Sequence, residues 1–242
     1  LISPPFGGGR APVLARNTVA SSQPLATQAG IEALQSGGNA VDAALATAIT
    51  LTVVEPTMNG IGGDGFAILW DGKKLHGLNA SGRAPAAWTP EYFSGKTAMD
   101  LIGWNTVTVP GMVAGWIELS RKFGKLPFAQ LFKRAIDYAE NGFPVSPVIA
   151  RQWREAIPIL KNQPGFSASF LIDGKAPQAG QIWKHPAQAK TLKEIATTEG
   201  ESFYKGPLAK SMVDFAQTTG GCFTMQDFAD NKPDWVEPLA FD

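Results

Sequence analysis

The chain has 242 residues, enough for a sizeable core in one or two domains. Its 21 Lys and Arg residues balance 21 Asp and Glu residues, so no net charge draws it to nucleic acid or to an anionic membrane. No apolar run is long enough to span a bilayer, and the first ten residues lack the pattern of a signal peptide. We therefore expect a soluble protein without nucleic-acid or membrane partners. Its compartment stays open: periplasmic or extracellular if a leader has been removed, otherwise cytoplasmic.

Cysteine and histidine are scarce in this sequence. Cys222 is the only cysteine, and His76 and His185 are the only histidines. A single cysteine cannot form an intrachain disulfide, and we expect it to be a small core or surface residue rather than a nucleophile. Without a cysteine cluster or closely spaced histidines, no metal site is expected.

The first elements are predicted from their capping residues. Residues 1–16 are expected to form an irregular arm, and residues 17–23 a short strand. Ser22 is the predicted cap of a helix that contains Pro24 in its first turn and ends at a glycine pair. Asn39 caps the next helix, with an aspartate three residues later near the positive end of the helix dipole.

A G-x-G-x-x-G pattern at Gly60, Gly62 and Gly65 follows this second helix, which Glu55-Pro56 ends. A dinucleotide fingerprint requires a strand before the glycines and a helix after them. Here the glycines precede a predicted hairpin with its turn at Asp71-Gly72. The order is therefore helix, turn, strand, and we expect no nucleotide site. The glycines are instead expected to allow close packing of the backbone.

The second half of the chain is predicted to be mainly helical, from proline starts and glycine ends. The predicted elements are helices at 110–124, 127–142, from 147, at about 186–199 and 207–219, a capping box at Thr224-x-x-Asp227, a loop at 161–184 and a strand at 235–242.

Three stretches, residues 37–66, 107–146 and 201–229, together resemble the large subunit of gamma-glutamyltranspeptidases and related acylases. The first is the most specific, because a glycine-flanked helix start, V-E-P and G-I-G-G-x-G-F occur in that order. The similarity extends with gaps from Val19 to Asp242. The stretches SSQPLATQAG and SGRAP look closest to the glutathione-hydrolase-like and cephalosporin-acylase-like branch.

The resemblance implies an α+β chain, the helix-rich large-subunit part of an N-terminal nucleophile hydrolase with a four-layer αββα sandwich. Residues 1–242 would then belong to a single domain that a second chain completes. In this family a precursor cuts itself into two chains, and the new N-terminal threonine of the second chain attacks an amide carbonyl with its own amine as base. The implied partner is thus the small subunit, in a heterodimer or a dimer of heterodimers. No metal or organic cofactor is implied.

Two threonine pairs are candidates for a nucleophile within this chain, Thr197-Thr198 and Thr218-Thr219. Both stand at the ends of predicted amphipathic helices just before glycine, where threonine is common. We therefore expect no catalytic residue in this chain, and we expect the nucleophile on the partner chain.

One departure from the family concerns the substrate. Typical transpeptidases carry R-E-x-A-P after the glycine turn, and its arginine holds the substrate α-carboxylate. Alignment on Ala84-Pro85 places Ser81 at that arginine and Arg83 two residues later, on the same strand face, because side chains alternate with a period of two. A guanidinium suits a carboxylate, so Ser81 and Arg83 are the predicted substrate-binding residues. The alternative is that Arg83 is a surface or interface residue.

These features predict the large subunit of a gamma-glutamyltranspeptidase-like amidohydrolase acting on γ-glutamyl or similar amides. A cephalosporin (glutaryl) acylase is the alternative enzyme, because the arginine that holds the α-carboxylate of a γ-glutamyl group is missing here. A catalytically silent binding or structural homologue is the alternative from another class. The first residue of the second chain separates either enzyme from the silent homologue, because an enzyme needs Thr, Ser or Cys there.

Overall fold

The structure, a computed structural model, describes residues 14–240. Helices dominate it, with a small three-stranded sheet and a two-stranded one, so the predicted helix-rich α+β class is confirmed. The helices are α1 (Pro24–Gln35), α2 (Ala40–Val54), α3 (Met112–Phe123), α4 (Lys133–Asn141), α5 (Pro147–Leu160), α6 (Phe166–Phe170), α7 (Pro186–Thr197), α8 (Glu201–Lys205), α9 (Pro207–Thr218) and α10 (Met225–Ala229). The strands are β1 (Gly65–Trp70), β2 (Leu75–Ala80), β3 (Phe143–Pro144), β4 (Ile182–Trp183) and β5 (Asp234–Val236).

The start of α1 differs from the prediction. Its N-cap is Gln23, whose side chain accepts hydrogen bonds from the Leu25 and Ala26 amides. Ser22 does not cap the helix, because its hydroxyl donates to the carboxylate of Glu55 at the end of α2. The strand predicted at 17–23 is also wrong: residues 14–23 pair with no strand in the described part of the chain. The rest of the predicted arm, residues 1–13, lies outside that part.

The start of α2 is as predicted. Asn39 and Asp42 form a reciprocal capping box, in which each side chain accepts a hydrogen bond from the backbone amide of the other. Asp42 is fully buried and also accepts from the amides of Lys125 and Leu126. The cap therefore joins α2 to the segment after α3. The central core lies around α2, where α1, α3 and α4 pack against it.

The three-stranded sheet has the order β1-β2-β5, with both pairs antiparallel. The predicted hairpin is confirmed, whereas the strand predicted at 235–242 is short, since β5 ends at Val236 and Pro238 soon follows. One sheet face packs against α3 through Leu78 and Ala80. The opposite face carries large exposed apolar side chains. They are Phe66, Ile68, Trp70, Leu75 and Val236, and we call them the open sheet face.

Most helices of the second half are confirmed, with changes at their ends. The element predicted from Pro127 begins as a 3₁₀ helix at Phe128–Phe132 before α4. The segment 161–184 is not a plain loop, because it contains α6 and the strand β4, which pairs with β3. The short helix α8 was not predicted. Among the described residues, none of the helices has the length and apolar character that crossing a membrane requires.

Candidate functional site

The glycine turn lies between α2 and β1, so the predicted order of helix, turn and strand is confirmed. The packing role predicted for its glycines is wrong at two positions. A Cβ at Gly62 would meet nothing within 4 Å, and one at Gly60 would come no closer than 4.0 Å to the Gly62 nitrogen. At Gly63 it would lie 3.3 Å from the Gly60 oxygen, and at Gly65 3.5 Å from the Cα of Met112. Desolvation raises the pKa of the neighbouring Asp64 above its ordinary value. The turn is therefore open at Gly62 and packed at Gly63 and Gly65.

The Ser81–Arg83 segment is held by contacts with the residues just before α3. The Val109 amide donates to the Arg83 oxygen at 3.0 Å, and the Thr108 hydroxyl to the Ser81 oxygen at 3.4 Å. Between them Gly82 has a φ of 76°, and a Cβ there would overlap the carbonyl oxygen of Val109. Only glycine fits this conformation without strain. The prediction that Ser81 and Arg83 share a strand face is wrong, because β2 ends at Ala80 and neither residue belongs to a strand.

Arg83 reaches across the sheet to β5. Its Nη2 lies 3.2 Å from both carboxylate oxygens of Asp234, and the two side chains keep 54% and 59% of their exposure. Asp234 is the register partner of Asn79, whose Oδ1 accepts a hydrogen bond from the Ser81 amide at 3.0 Å. The structure thus adds Asp234 to the neighbourhood of Ser81 and Arg83, a contact that the sequence analysis missed. The only sequence feature that could have indicated it is the position of Asp234 just before the predicted C-terminal strand.

The four threonines considered as nucleophiles have structural roles. The hydroxyls of Thr197 and Thr198 donate to carbonyl oxygens of Lys193 and Glu194, one turn back in α7. Those of Thr218 and Thr219 bond in the same way at the end of α9. Each hydroxyl is therefore bonded within the end of its own helix.

Neither histidine nor the cysteine hydrogen-bonds to residues 81–83 among the described residues. His76 Nε2 lies 2.9 Å from Asp71 Oδ2, and this hydrogen bond, with two from backbone amides, lowers the pKa of Asp71 to about 2. His185 Nδ1 lies 2.9 Å from Gln188 Oε1. Cys222 is half-buried. Across residues 14–240, no three His, Cys, Asp or Glu side chains converge as metal ligands.

Comparison with known proteins gives consistent matches. The sequence profile of the family Gamma-glutamyltranspeptidase matches residues 26–242. The glutathione hydrolase-like YwrD proenzyme of Bacillus subtilis is 37% identical over 230 residues, 94% of this chain and 44% of that protein. Cephalosporin acylase from Bacillus halodurans is 44% identical, with a TM-score of 0.87 over 98% of this chain and 47% of that one. Gamma-glutamyltranspeptidase from Pseudomonas nitroreducens, complexed with L-DON, is 34% identical, with a TM-score of 0.88 over 95% and 69%.

The chain therefore spans less than half the length of the Bacillus subtilis relative and of the acylase. The match covers all three stretches on which the resemblance rests, residues 37–66, 107–146 and 201–229. The backbone also agrees along nearly the whole chain. The chain belongs to the gamma-glutamyltranspeptidase family.

Proposed function

We propose that this chain is the large-subunit part of a self-cleaving amidohydrolase that cleaves or transfers γ-glutamyl or similar acyl groups. The observation that carries the proposal is the family match from residue 26 to 242, with the fold of both a transpeptidase and an acylase. The partner is the small subunit from the same precursor. This agrees with the proenzyme in the name of the Bacillus subtilis relative.

The proposed reaction uses a threonine at the start of the small subunit. Its hydroxyl adds to the amide carbonyl while its α-amine takes the hydroxyl proton. Collapse of the tetrahedral intermediate breaks the C–N bond, and the same proton passes to the leaving amine. Water or an amino acid then attacks the ester and releases the acid or a new amide. The large subunit contributes the wall of the acyl pocket, with Ser81 and Arg83 facing the acyl chain.

The open sheet face is the proposed contact with the small subunit. Phe66, Ile68 and Trp70 remain 72%, 74% and 63% exposed on one face of β1. Three large apolar side chains in a row on a strand are unfavourable in water, and stacking a second sheet about 10 Å away buries such a row. We assign this position to the sheet of the small subunit, which would complete the four-layer αββα domain.

A glutaryl or cephalosporin acylase is the second candidate. The 44% identity to the Bacillus halodurans acylase supports it. Both candidates use the same nucleophile and differ only in the acyl group. A silent homologue would keep the fold without either activity.

Expression of the complete precursor tests the proposal. We expect two chains by intact mass, a second chain that begins with threonine, and release of 4-nitroaniline from γ-glutamyl or glutaryl 4-nitroanilide. The ratio of kcat/KM for the two substrates distinguishes the transpeptidase from the acylase. An uncleaved precursor, or a matured protein inactive on both, would support the silent homologue.

A further inference from the structure

The guanidinium predicted to bind substrate already has an anionic partner. Arg83 Nη2 contacts both carboxylate oxygens of Asp234 at 3.2 Å, from the end of β2 to the start of β5. Both side chains lie at the polar end of the sheet, where Asn79 and Asp234 face each other in register. The remaining N–H groups of Arg83 stay free to bind a ligand, because only Nη2 contacts Asp234 among the described residues.

The surroundings of this pair determine its electrostatic effect. Both side chains are about half exposed, so in the isolated chain water screens the attraction and the pair contributes little stability. Packing of a second sheet on the open sheet face would remove part of that water. Once partly desolvated, Arg83 and Asp234 attract each other more strongly. A charged acyl group beside them would have no unpaired opposite charge to bind.

We propose that Asp234 is a specificity-determining residue, which makes this end of the acyl pocket neutral and selects acyl groups without net charge at their distal end. The inference rests on the proposed function. A glutaryl group brings one carboxylate, which must compete with Asp234 for Arg83. A γ-glutamyl group brings a carboxylate together with an ammonium, so its net charge is zero and its ammonium offsets the repulsion. The wild-type enzyme therefore prefers γ-glutamyl to glutaryl amides.

The test compares, in the matured enzyme, the 4-nitroanilide of glutaric acid with that of glutaramic acid, whose distal end is an uncharged carboxamide. These acyl groups have nearly the same shape and differ by one charge. Asp234→Asn removes the competing carboxylate and leaves Arg83 unmatched. We expect the glutaryl to glutaramyl ratio of kcat/KM to rise about tenfold. The preference for γ-glutamyl over glutaryl anilide is expected to shrink in the same variant.

Two further variants separate specificity from a structural role. In Arg83→Gln/Asp234→Asn the gain in the ratio is expected to disappear, because the guanidinium that recognises the carboxylate is gone. Glu237→Gln is the matched control. It removes the same charge from another exposed ion pair of the sheet region, in which Lys74 Nζ lies 2.8 Å from Glu237 Oε1. We expect the control to leave the ratio unchanged.

The outcomes distinguish the inference from the function on which it rests. An active, matured Asp234→Asn enzyme whose ratio stays within about twofold of wild type would overturn the inference alone. The same holds if the double variant keeps the gain, since Arg83 would then have no part in it. A matured wild-type protein that cleaves none of the three anilides would overturn the proposed function as well.

Discussion

At the residue scale, two glycines beside the sheet have opposite surroundings. Gly82 has a φ of 76° and touches the Val109 carbonyl, whereas Gly62 faces open space. A glycine in the first setting is required by the backbone of this chain. At Gly62 the backbone does not require glycine. A requirement for glycine there would have to come from groups outside the described residues that contact the turn.

Alanine substitution separates the two cases. Gly82→Ala is expected to destabilise the protein by about 1–3 kcal/mol or more, from left-handed strain together with the overlap at Val109. Gly62→Ala is expected to change stability by less than about 0.5 kcal/mol. The measurement is the thermal midpoint of each matured variant. Equal midpoints for both variants would show that the Gly82 contact is not as tight as described.

The Tyr204 hydroxyl is a second residue-scale feature. It donates to the Pro110 oxygen at 2.7 Å and accepts from the Ala114 amide at 2.9 Å, at the start of α3. Burial raises the pKa of this tyrosine far above its ordinary value of 10.0, and the hydrogen bond from Ala114 opposes part of that rise. The fold therefore holds the neutral phenol.

Tyr204→Phe is expected to cost about 1–3 kcal/mol, because a buried amide and carbonyl lose their partner. The stability that the phenol contributes is fully present below pH 10, the pKa in the unfolded chain, and falls as the pH rises above it. The difference in thermal midpoint between wild type and variant should therefore be larger at pH 8 than at pH 10.5. A difference that grows with pH would contradict the assignment.

At the element scale, α2 is held at its first turn by Asp42. The buried carboxylate accepts from the Asn39 amide at 2.8 Å and from the Lys125 amide at 3.1 Å. The Asn39 side chain in turn donates to the Phe123 oxygen at 2.6 Å. These bonds fix the start of α2 to the end of α3, and the segment just before α3 carries the contacts that position Ser81–Arg83.

Asp42→Asn tests this connection. An amide group cannot accept at both positions, so at least one charge-assisted bond is lost, at about 1.5–3 kcal/mol. Asp227→Asn is the control: it alters the same kind of capping box in α10, but the residue is only partly buried. We expect a smaller loss there, about 0.5–2 kcal/mol. Chemical denaturation of the matured proteins measures both. A larger loss for Asp227→Asn would contradict the role assigned to Asp42.

At the scale of the whole molecule, the open sheet face is incompatible with a stable solitary chain. Its apolar side chains would be exposed next to unpaired strand edges, which favours aggregation. We therefore expect residues 1–242 expressed alone to aggregate. A soluble, cooperatively melting monomer would contradict this.

Substitution on that face tests the same idea. Ile68→Thr with Trp70→Thr should increase the soluble fraction of the solitary chain and weaken assembly of the complete precursor. Leu101→Thr is the control, since Leu101 is 95% exposed but lies in the segment between β2 and α3. Soluble yield and the proportion of matured heterodimer are the measurements. Equal effects of the control and the face variant would argue against a specific interface.

The sequence alone determined the elements whose hydrogen bonds join close neighbours. The capping boxes at Asn39 and Thr224, the hairpin at Asp71-Gly72 and the helix–turn–strand order around the glycines depend on residues two to four positions apart. Such bonds need only local conformations that the side chains favour. The family resemblance depends on the order of such local motifs along the chain, and the family match over residues 26–242 confirms it.

The tertiary structure alone decided which distant groups meet. Ser22 is recruited by Glu55, 33 residues away, so the cap of α1 passes to Gln23. Arg83 meets Asp234, 151 residues away, because β5 adds to the hairpin in a single register. A slip of one residue in that register would turn Asp234 to the other face. The local sequence around Arg83 contains no information about that pairing, because β5 is set beside β2 by the packing of the whole chain.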